Sequence, residues 1–522
     1  MPDTENTSSK VARGGAALLL GFAAVKLLLH VLTSSGYGWF RDELYYIACS
    51  DRLAFGYVDQ PPFSLVLLRA ARLFLGDSLL AVRLLPALAG AVTVLLVGLM
   101  ARRLGGGRFA QALAMTSALV APLYLGLDHF FSMNAFDMVL WALAACLLID
   151  ILGRANAVDG PNARLWIALG LILGIGLQNK ISVLWLGFGI AAGLLLTSRR
   201  RLLVSRWPWL AGAVAVALFV PHVLWQVQND WPTLEFMRNA TGEKMARTSP
   251  LQFLMGQVVA MHPLNLPVWL AGLVFFLAHD RGRRFRPLGW TFVAILILLA
   301  LSATSRASYL APAYTWLFAG GGVVAERLLA RLGWRWLQPV SLVLLLAGGT
   351  LTLPLAVPVL PVRSYVAYAR ALGFEPSTEE KKEVAELPQF YADMHGWEEI
   401  VATAASVYRS LLPDEQREAC FFVPNYGDAG AIDLLGRRYG LPPALSGHNN
   451  YGLWGPRGCT GEVMIVLGGT AEDLLESFEE VERAATIQCG FCMPYENDRP
   501  VWIGRRFRGS LQEAWQDLRH YD

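Results

Sequence analysis

Residues 79–101 read LLAVRLLPALAGAVTVLLVGLMA and run directly into Arg102-Arg103. One charge in a stretch of this length leaves an apolar rod. At 1.5 Å per residue it is long enough to cross a hydrocarbon core about 30 Å thick. The pattern recurs along the chain. Apolar runs fall at 14–34, 79–101, 109–127, 133–153, 165–179, 181–198, 208–226, 263–279, 287–304, 308–325 and 337–358, giving about eleven expected spans. The 522 residues are 55% hydrophobic and only 16% charged, where a soluble protein carries about 25% charged residues. The reading is a multi-pass α-helical membrane protein. With a net charge of only +3, nothing points to nucleic acid.

Arginine sets the expected orientation. Every second loop is Arg-rich, at Arg102, Arg103 and Arg108, at Arg154 and Arg164, at Arg199, Arg200, Arg201 and Arg206, at Arg281, Arg283, Arg284 and Arg286, and at Arg327, Arg331 and Arg335. Positive loops belong in the cytoplasm, and Lys10 and Arg13 place the N-terminus there too. The first apolar run is too long for a signal-peptide core and is read as a retained helix. An odd span count then sends everything after Pro361 outside. Residues 1–360 are expected to form the membrane domain and 361–522 a soluble extracytoplasmic domain of α/β type. In that tail Gly461–Gly469 reads as a buried strand and Ala471–Ala485 as a helix. Cys420, Cys459, Cys489 and Cys492 lie there, an even number suited to disulfides in an oxidising compartment. Cys489-Gly490-Phe491-Cys492 also fits a redox or zinc pair, though no second pair at metal spacing accompanies it.

Polar residues collect in five places, all on the outer side by this topology. The first is the long loop with Asp42-Glu43 and Asp59-Gln60-Pro61-Pro62, followed by an amphipathic stretch at 63–75 read as an interfacial helix. The second runs from Asp128-His129 to Asn134 and Asp137; the third is Gln178-Asn179-Lys180. The fourth is Gln226 to Trp231, leading to Arg238, Lys244 and Arg247, and the fifth is Ser305-Arg306-Ala307-Ser308-Tyr309. Each has a plain structural reading. Asp42 and Glu43 form a solvated loop pair unless their neighbours recruit them, and on a helix adjacent residues do not share a face. Lys180 snorkels to headgroups, Asp137 favours a helix N-terminus, Arg306 meets lipid phosphate, and His129 reads as structural or interfacial before ligand. The convergence of all five on one side argues for a site at the outer interface.

The Asp42-Glu43 pair, Asp137 at the start of the fourth span, Lys180 between spans five and six, and Arg-x-x-Tyr-x-x-Pro at Arg306–Pro312 together resemble the protein O-mannosyltransferase and aminoarabinose transferase superfamily. These are GT-C membrane glycosyltransferases with polyprenyl-phosphate sugar donors. The resemblance covers about residues 10–360. The tail stretches Val423–Gly430 and Leu441–Asn449 are similar to tails of bacterial members. It implies transfer of a sugar to a lipid, glycan or protein acceptor at the outer face of a bacterial inner membrane, with inversion at the anomeric carbon.

The same resemblance makes Asp42 the base, with Glu43 orienting the acceptor or a cation. Lys180 and Arg306 would hold the donor phosphate, Arg as a fork and Lys as a point charge. Asp137, Tyr309 and His129 join the candidate substrate-binding set. Gln60-Pro61 departs from the Lys-Pro of the aminoarabinose transferases, so a different donor or acceptor is expected. No Asp-x-Asp motif lies near the acidic pair, and no cofactor or catalytic metal is assigned, a divalent ion being the alternative. The competing functions are a transporter or flippase of lipid-linked sugars and a receptor or scaffold working through its tail.

Overall fold

The structure, a computed structural model, describes residues 3–154 and 163–522, with side chains from residue 15 onward. The orientation argument from Lys10 and Arg13 therefore rests on side chains outside the described residues. The chain divides into two compact units. The first comprises Met1–Ser34, Leu75–Leu224 and Arg247–Leu360; the second comprises Ser35–Phe74, Trp225–Ala246 and Pro361–Asp522.

The first unit is a helical bundle. Among the described residues, five helices are long and apolar enough to cross a membrane: Gly15–Thr33, Leu79–Arg103, Met133–Arg154, Arg206–Gln228 and Leu337–Ala356. A sixth arises if Pro250–Ala260 and Pro263–Leu277, which turn by 93° at their junction, count as one span. The remaining expected spans appear as shorter or more polar helices, including Ala163–Leu177, Val183–Leu195, Arg286–Ala300 and Tyr314–Arg331. Met133–Arg154 is 78% buried and Leu337–Ala356 22%. Apolar residues all round a helix thus serve two ends, core in the first case and lipid contact in the second. The helices Leu266–Leu277 and Tyr314–Arg331 approach so closely that a Cβ on Gly272 would strike the Leu317 carbonyl, and one on Gly321 the Val268 carbonyl. Small residues at such crossings let backbones touch where lipid removes any hydrophobic drive.

The run at 109–127 is not one helix. Arg108–Val120 ends at Ala121, which is extended, and Pro122–Leu127 starts afresh. Pro122 has no N–H for the ladder and pushes the residue before it out of the helical region. Similarly, Arg306–Pro312 lies in short 3-10 turns, and the helix starts only at Tyr314.

The second unit carries a five-stranded sheet. Its strands are β1 Ala419–Phe422, β2 Ala444–Leu445, β3 Val463–Leu467, β4 Phe478–Ile487 and β5 Arg499–Phe507, in the order β2-β1-β3-β5-β4. β3 is buried along its length, as its unbroken apolar run requires, and pairs parallel to β1 and antiparallel to β5. The expected helix 471–485 is corrected here. Only Ala471–Ser477 is helical, and β4 follows. Helix-favouring Glu residues are overridden by pairing: Arg506 Nε donates to Glu479 at 2.6 Å and Arg505 Nη1 to Glu482 at 3.0 Å across the β4–β5 ladder. Disulfides join Cys420 to Cys459 and Cys489 to Cys492.

Helix Tyr426–Leu435 packs on helix Arg41–Ser50 within this unit. A Cβ on Gly430 would come within 2.7 Å of the Leu44 backbone, and one on Gly427 within 2.5 Å of Arg41 Cγ. Only glycine allows that approach. Asn425 starts the helix, its Oδ1 accepting the N–H groups of Gly427 at 2.9 Å and Asp428 at 3.0 Å. Asp428 is fully buried and bidentate with Arg499, at 2.8 and 2.7 Å. Asn425→Ala is expected to lower the unfolding free energy of this unit by about 1 kcal/mol. Denaturant titration followed by tail fluorescence measures it, and an unchanged midpoint would remove the cap from the account.

Candidate active site

In the second unit the chain turns into helix Arg41–Ser50 through Phe40, whose backbone is extended. Glu43 is fully buried, and its Oε2 accepts the Phe40 N–H at 2.9 Å. That is the third-residue carboxylate of a capping arrangement, reaching back to hold the helix start. Asp42, one position earlier, points elsewhere. Its side chain is 29% exposed. Tyr426 donates its hydroxyl to Asp42 Oδ1 at 3.0 Å, and Arg41 Nε stands 3.8 Å from the same oxygen.

Arg41 is the hub of this region. Its backbone N–H donates to the Asp393 carbonyl at 3.0 Å. Its guanidinium donates to Tyr495 at 3.1 Å and lies 3.7 Å from Asp393 and 3.9 Å from Glu380. The Tyr426 ring sits between two cations, Arg41 at 5.5 Å and Lys244 at 6.0 Å. Nearby, Tyr45 donates to Asp59 at 2.8 Å.

The charges respond to this crowding. Burial opposes ionisation of Glu380, but Arg41, Lys244 and Lys382 together pull its carboxyl down to about 2. Burial wins at Asp393, pushed up to about 6 despite Arg41. Burial also pushes Asp59 up to about 6 and lowers Lys244, with Arg41 and Lys382 adding to the effect against Glu380. Asp42, partly exposed and aimed by the Tyr426 hydroxyl, is open to a hydroxyl group that would give up its proton.

In the first unit, Lys180 lies between helices Ala163–Leu177 and Val183–Leu195. Its Nζ donates to Asn134 Oδ1 at 2.7 Å, stands 4.0 Å from Asp137 Oδ2, and lies 5.6 Å from the centre of the Tyr309 ring. Ser182 donates to Asp137 at 3.0 Å, and Trp185 packs on Tyr309. Arg306 begins the turn that carries Tyr309, its carbonyl accepting the Tyr309 N–H at 3.1 Å, and its charge reaches Lys180. Four sequence candidates thus share one neighbourhood: Asp137, Lys180, Arg306 and Tyr309.

His129 is placed differently. It is buried beside His30, ring centres 5.9 Å apart, next to an ion pair of Lys26 and Asp128 at 2.9 Å. Lys26 also donates to the Tyr124 carbonyl at 3.1 Å. A lysine in mid-span needs such a partner.

Arg41, Tyr426, Asp393 and Glu380 were not singled out from sequence. Tyr426 and Asp428 stood inside the Val423–Gly430 stretch, which was the one available signal. Among the described residues, one group of three ligand-type side chains gathers, His448, His520 and Asp522, with ligand atoms within 4.8 Å of one another. Burial, with Lys244 adding, keeps His448 well below the usual histidine range and so neutral. That trio could hold a divalent ion.

Comparison with known proteins places the architecture. A solved structure of ArnT from Cupriavidus metallidurans superposes with a TM-score of 0.60, covering 94% of this chain and 98% of ArnT at 16% identity. The chain has the GT-C glycosyltransferase fold. The ArnT structure bound to undecaprenyl phosphate matches this GT-C chain with a TM-score of 0.58 at 15% identity, over 94% of it and 98% of ArnT. The family described as dolichyl-phosphate-mannose-protein mannosyltransferase matches residues 59–225. The lipopolysaccharide core galacturonosyltransferase RgtB of Rhizobium johnstonii is 26% identical over 274 residues, 52% of this chain. The match spans about half of that relative, 53% of its length. The GT-C fold and the apolar spans together make this a multi-pass membrane protein.

Proposed function

We propose that the protein transfers a sugar from a polyprenyl-phosphate donor to a hydroxyl or phosphate acceptor, at the outer face of the inner membrane. The observation that carries this reading is Asp42: a carboxylate at a helix start, oriented by Tyr426 and backed by Arg41, while its neighbour Glu43 is spent on the cap. Asp42 takes the acceptor proton. The acceptor oxygen bonds to the anomeric carbon as the bond from that carbon to the phosphate oxygen breaks, and its electron pair leaves with the phosphate. Direct displacement inverts the anomeric centre. Lys180 and Arg306 are assigned to the phosphate, whose negative charge grows as the bond breaks. Tyr309 shapes the Lys180 position through its ring face, and Asp137 tunes it.

RgtB is named for a lipopolysaccharide core, which favours a lipid-borne or envelope glycan acceptor over a protein one. RgtB and the matched family are both named as transferases, which favours this reading over a transporter or flippase. The experiment is mass spectrometry of envelope lipids and glycans from a deletion strain, with purified protein then offered polyprenyl-phosphate sugars. Loss of one glycosyl modification, restored by wild type and not by Asp42→Asn, is expected. An envelope that keeps every sugar would overturn the proposal.

A further inference from the structure

Away from Lys180 and Arg306, the first unit holds a second concentration of charge that the transfer chemistry does not use. Two short 3-10 turns, Ser198–Val204 and Asp280–Phe285, face each other across a basin of about 1020 Å³. Residues 199–201 line it from one turn, Arg281, Arg283 and Arg284 from the other, and Arg327 from helix Tyr314–Arg331. Seven arginines thus face a single carboxylate, Asp280.

Glu326, next to Arg327 in sequence, partly offsets that arginine's charge and is itself engaged in a helix cap. Glu326 accepts the N–H groups of Gly107 at 2.6 Å and Ala110 at 3.3 Å, capping helix Arg108–Val120. The turns are fixed by their own caps, Thr197 Oγ1 accepting the Arg199 N–H at 3.3 Å and His279 Nδ1 the Arg281 N–H at 3.2 Å. Burial and the Arg284 charge push Arg199 below its ordinary range. Seven arginines around one cavity give it a positive potential, which favours an anion there.

The depth of the basin says which anion. Its turns join the ends of bundle helices: Val183–Leu195 to Arg206–Gln228, and Leu266–Leu277 to Arg286–Ala300. It also reaches Leu104 and Gly105, just beyond Leu79–Arg103. Helix ends of spanning segments lie at headgroup level. Exposed apolar side chains stand close in sequence to the ends of the first turn: Leu195, Leu196, Val204 and Trp209. Trp209 donates its indole N–H to the Leu203 carbonyl at 2.8 Å, the posture of an interfacial tryptophan.

We propose that this basin binds the headgroup of an anionic membrane lipid carrying two phosphodiesters, of the cardiolipin class, with its acyl chains lying along these exposed apolar side chains. Guanidinium forks suit phosphate oxygens, and basic pockets at the cytoplasmic ends of spanning helices are suited to such headgroups. The arginine count and the volume suit two phosphates better than one.

The test is native mass spectrometry and titration of the delipidated full-length protein with cardiolipin, phosphatidylglycerol and free pyrophosphate. Cardiolipin is expected to bind saturably and at least about 10-fold more tightly than either of the others. Combined Arg200→Gln, Arg201→Gln, Arg283→Gln and Arg284→Gln should weaken it at least about 10-fold, while Arg331→Gln with Arg335→Gln should not. In the wild type, cardiolipin should shield Arg283 and Arg284 from phenylglyoxal, a readout independent of whether the variant folds. Unshielded arginines, or undiminished binding by a folded fourfold variant, would overturn the proposal. Pyrophosphate binding as tightly as the lipid would overturn the lipid assignment.

Discussion

Asp42→Asn should slow sugar transfer by about 100-fold to 10,000-fold, the range for loss of a general base. The substitution keeps the side chain's shape and its contact with Tyr426, so donor affinity should stay within about twofold. Tyr426→Phe removes the hydroxyl that donates to Asp42 Oδ1 at 3.0 Å. It should cost less, since the carboxylate keeps its charge and loses only its aim. Glu43→Gln should change little: Oε2 accepts the Phe40 N–H, and an amide oxygen can still do so. Single-turnover assays with purified protein, alongside donor titration, separate these outcomes. Full turnover by Asp42→Asn would remove it as the base.

Lys180→Ala should lower transfer by about 100- to 1,000-fold and weaken donor binding as well. A cation aimed at a leaving phosphate stabilises the charge that grows in the transition state and part of that already present in the ground state. Arg306→Ala should resemble it. Lys180→Arg should restore much of the donor affinity, because charge matters more than fork geometry for a residue that also bonds Asn134 at 2.7 Å. Asn134→Ala tests that positioning directly, and its effect should fall chiefly on transfer, not on folding. Donor binding that survives Lys180→Ala unchanged would take the phosphate away from this residue.

The helical membrane architecture was largely readable, because apolar runs report directly on what lipid tolerates. What the runs could not reveal is where a continuous stretch breaks. Hydropathy is blind to Pro122, whose missing N–H divides one expected helix into two. In the tail, the Glu-rich stretch of β4 looked helical because its strand character depends on Arg505 and Arg506 of another strand. Asp42 was legible as a candidate through its company. The cap role of Glu43 was hidden, since the residue before the helix is Phe40 and not the Ser or Thr that marks a capping box. Lys26 was visible as an unexplained mid-span charge, and its partner Asp128 required the packed bundle. Arg41, Glu380 and Asp393 meet only once distant segments pair, which no local pattern encodes.

That pairing also has a timetable. Asp42 and Tyr426 are 384 positions apart. At about 5–20 residues per second of synthesis, roughly 20–80 s separate their emergence from the ribosome. Throughout that interval helix Arg41–Ser50 lacks the helix that covers Leu44, and Asp42 lacks the hydroxyl that aims it. A chain released or stalled before Tyr426 can insert its spans and still leave Asp42 unaimed. Abundance in the membrane is therefore a poor gauge of competent protein, and the stretch of translation that delivers Tyr426 is the stage at which the Asp42 environment comes into being.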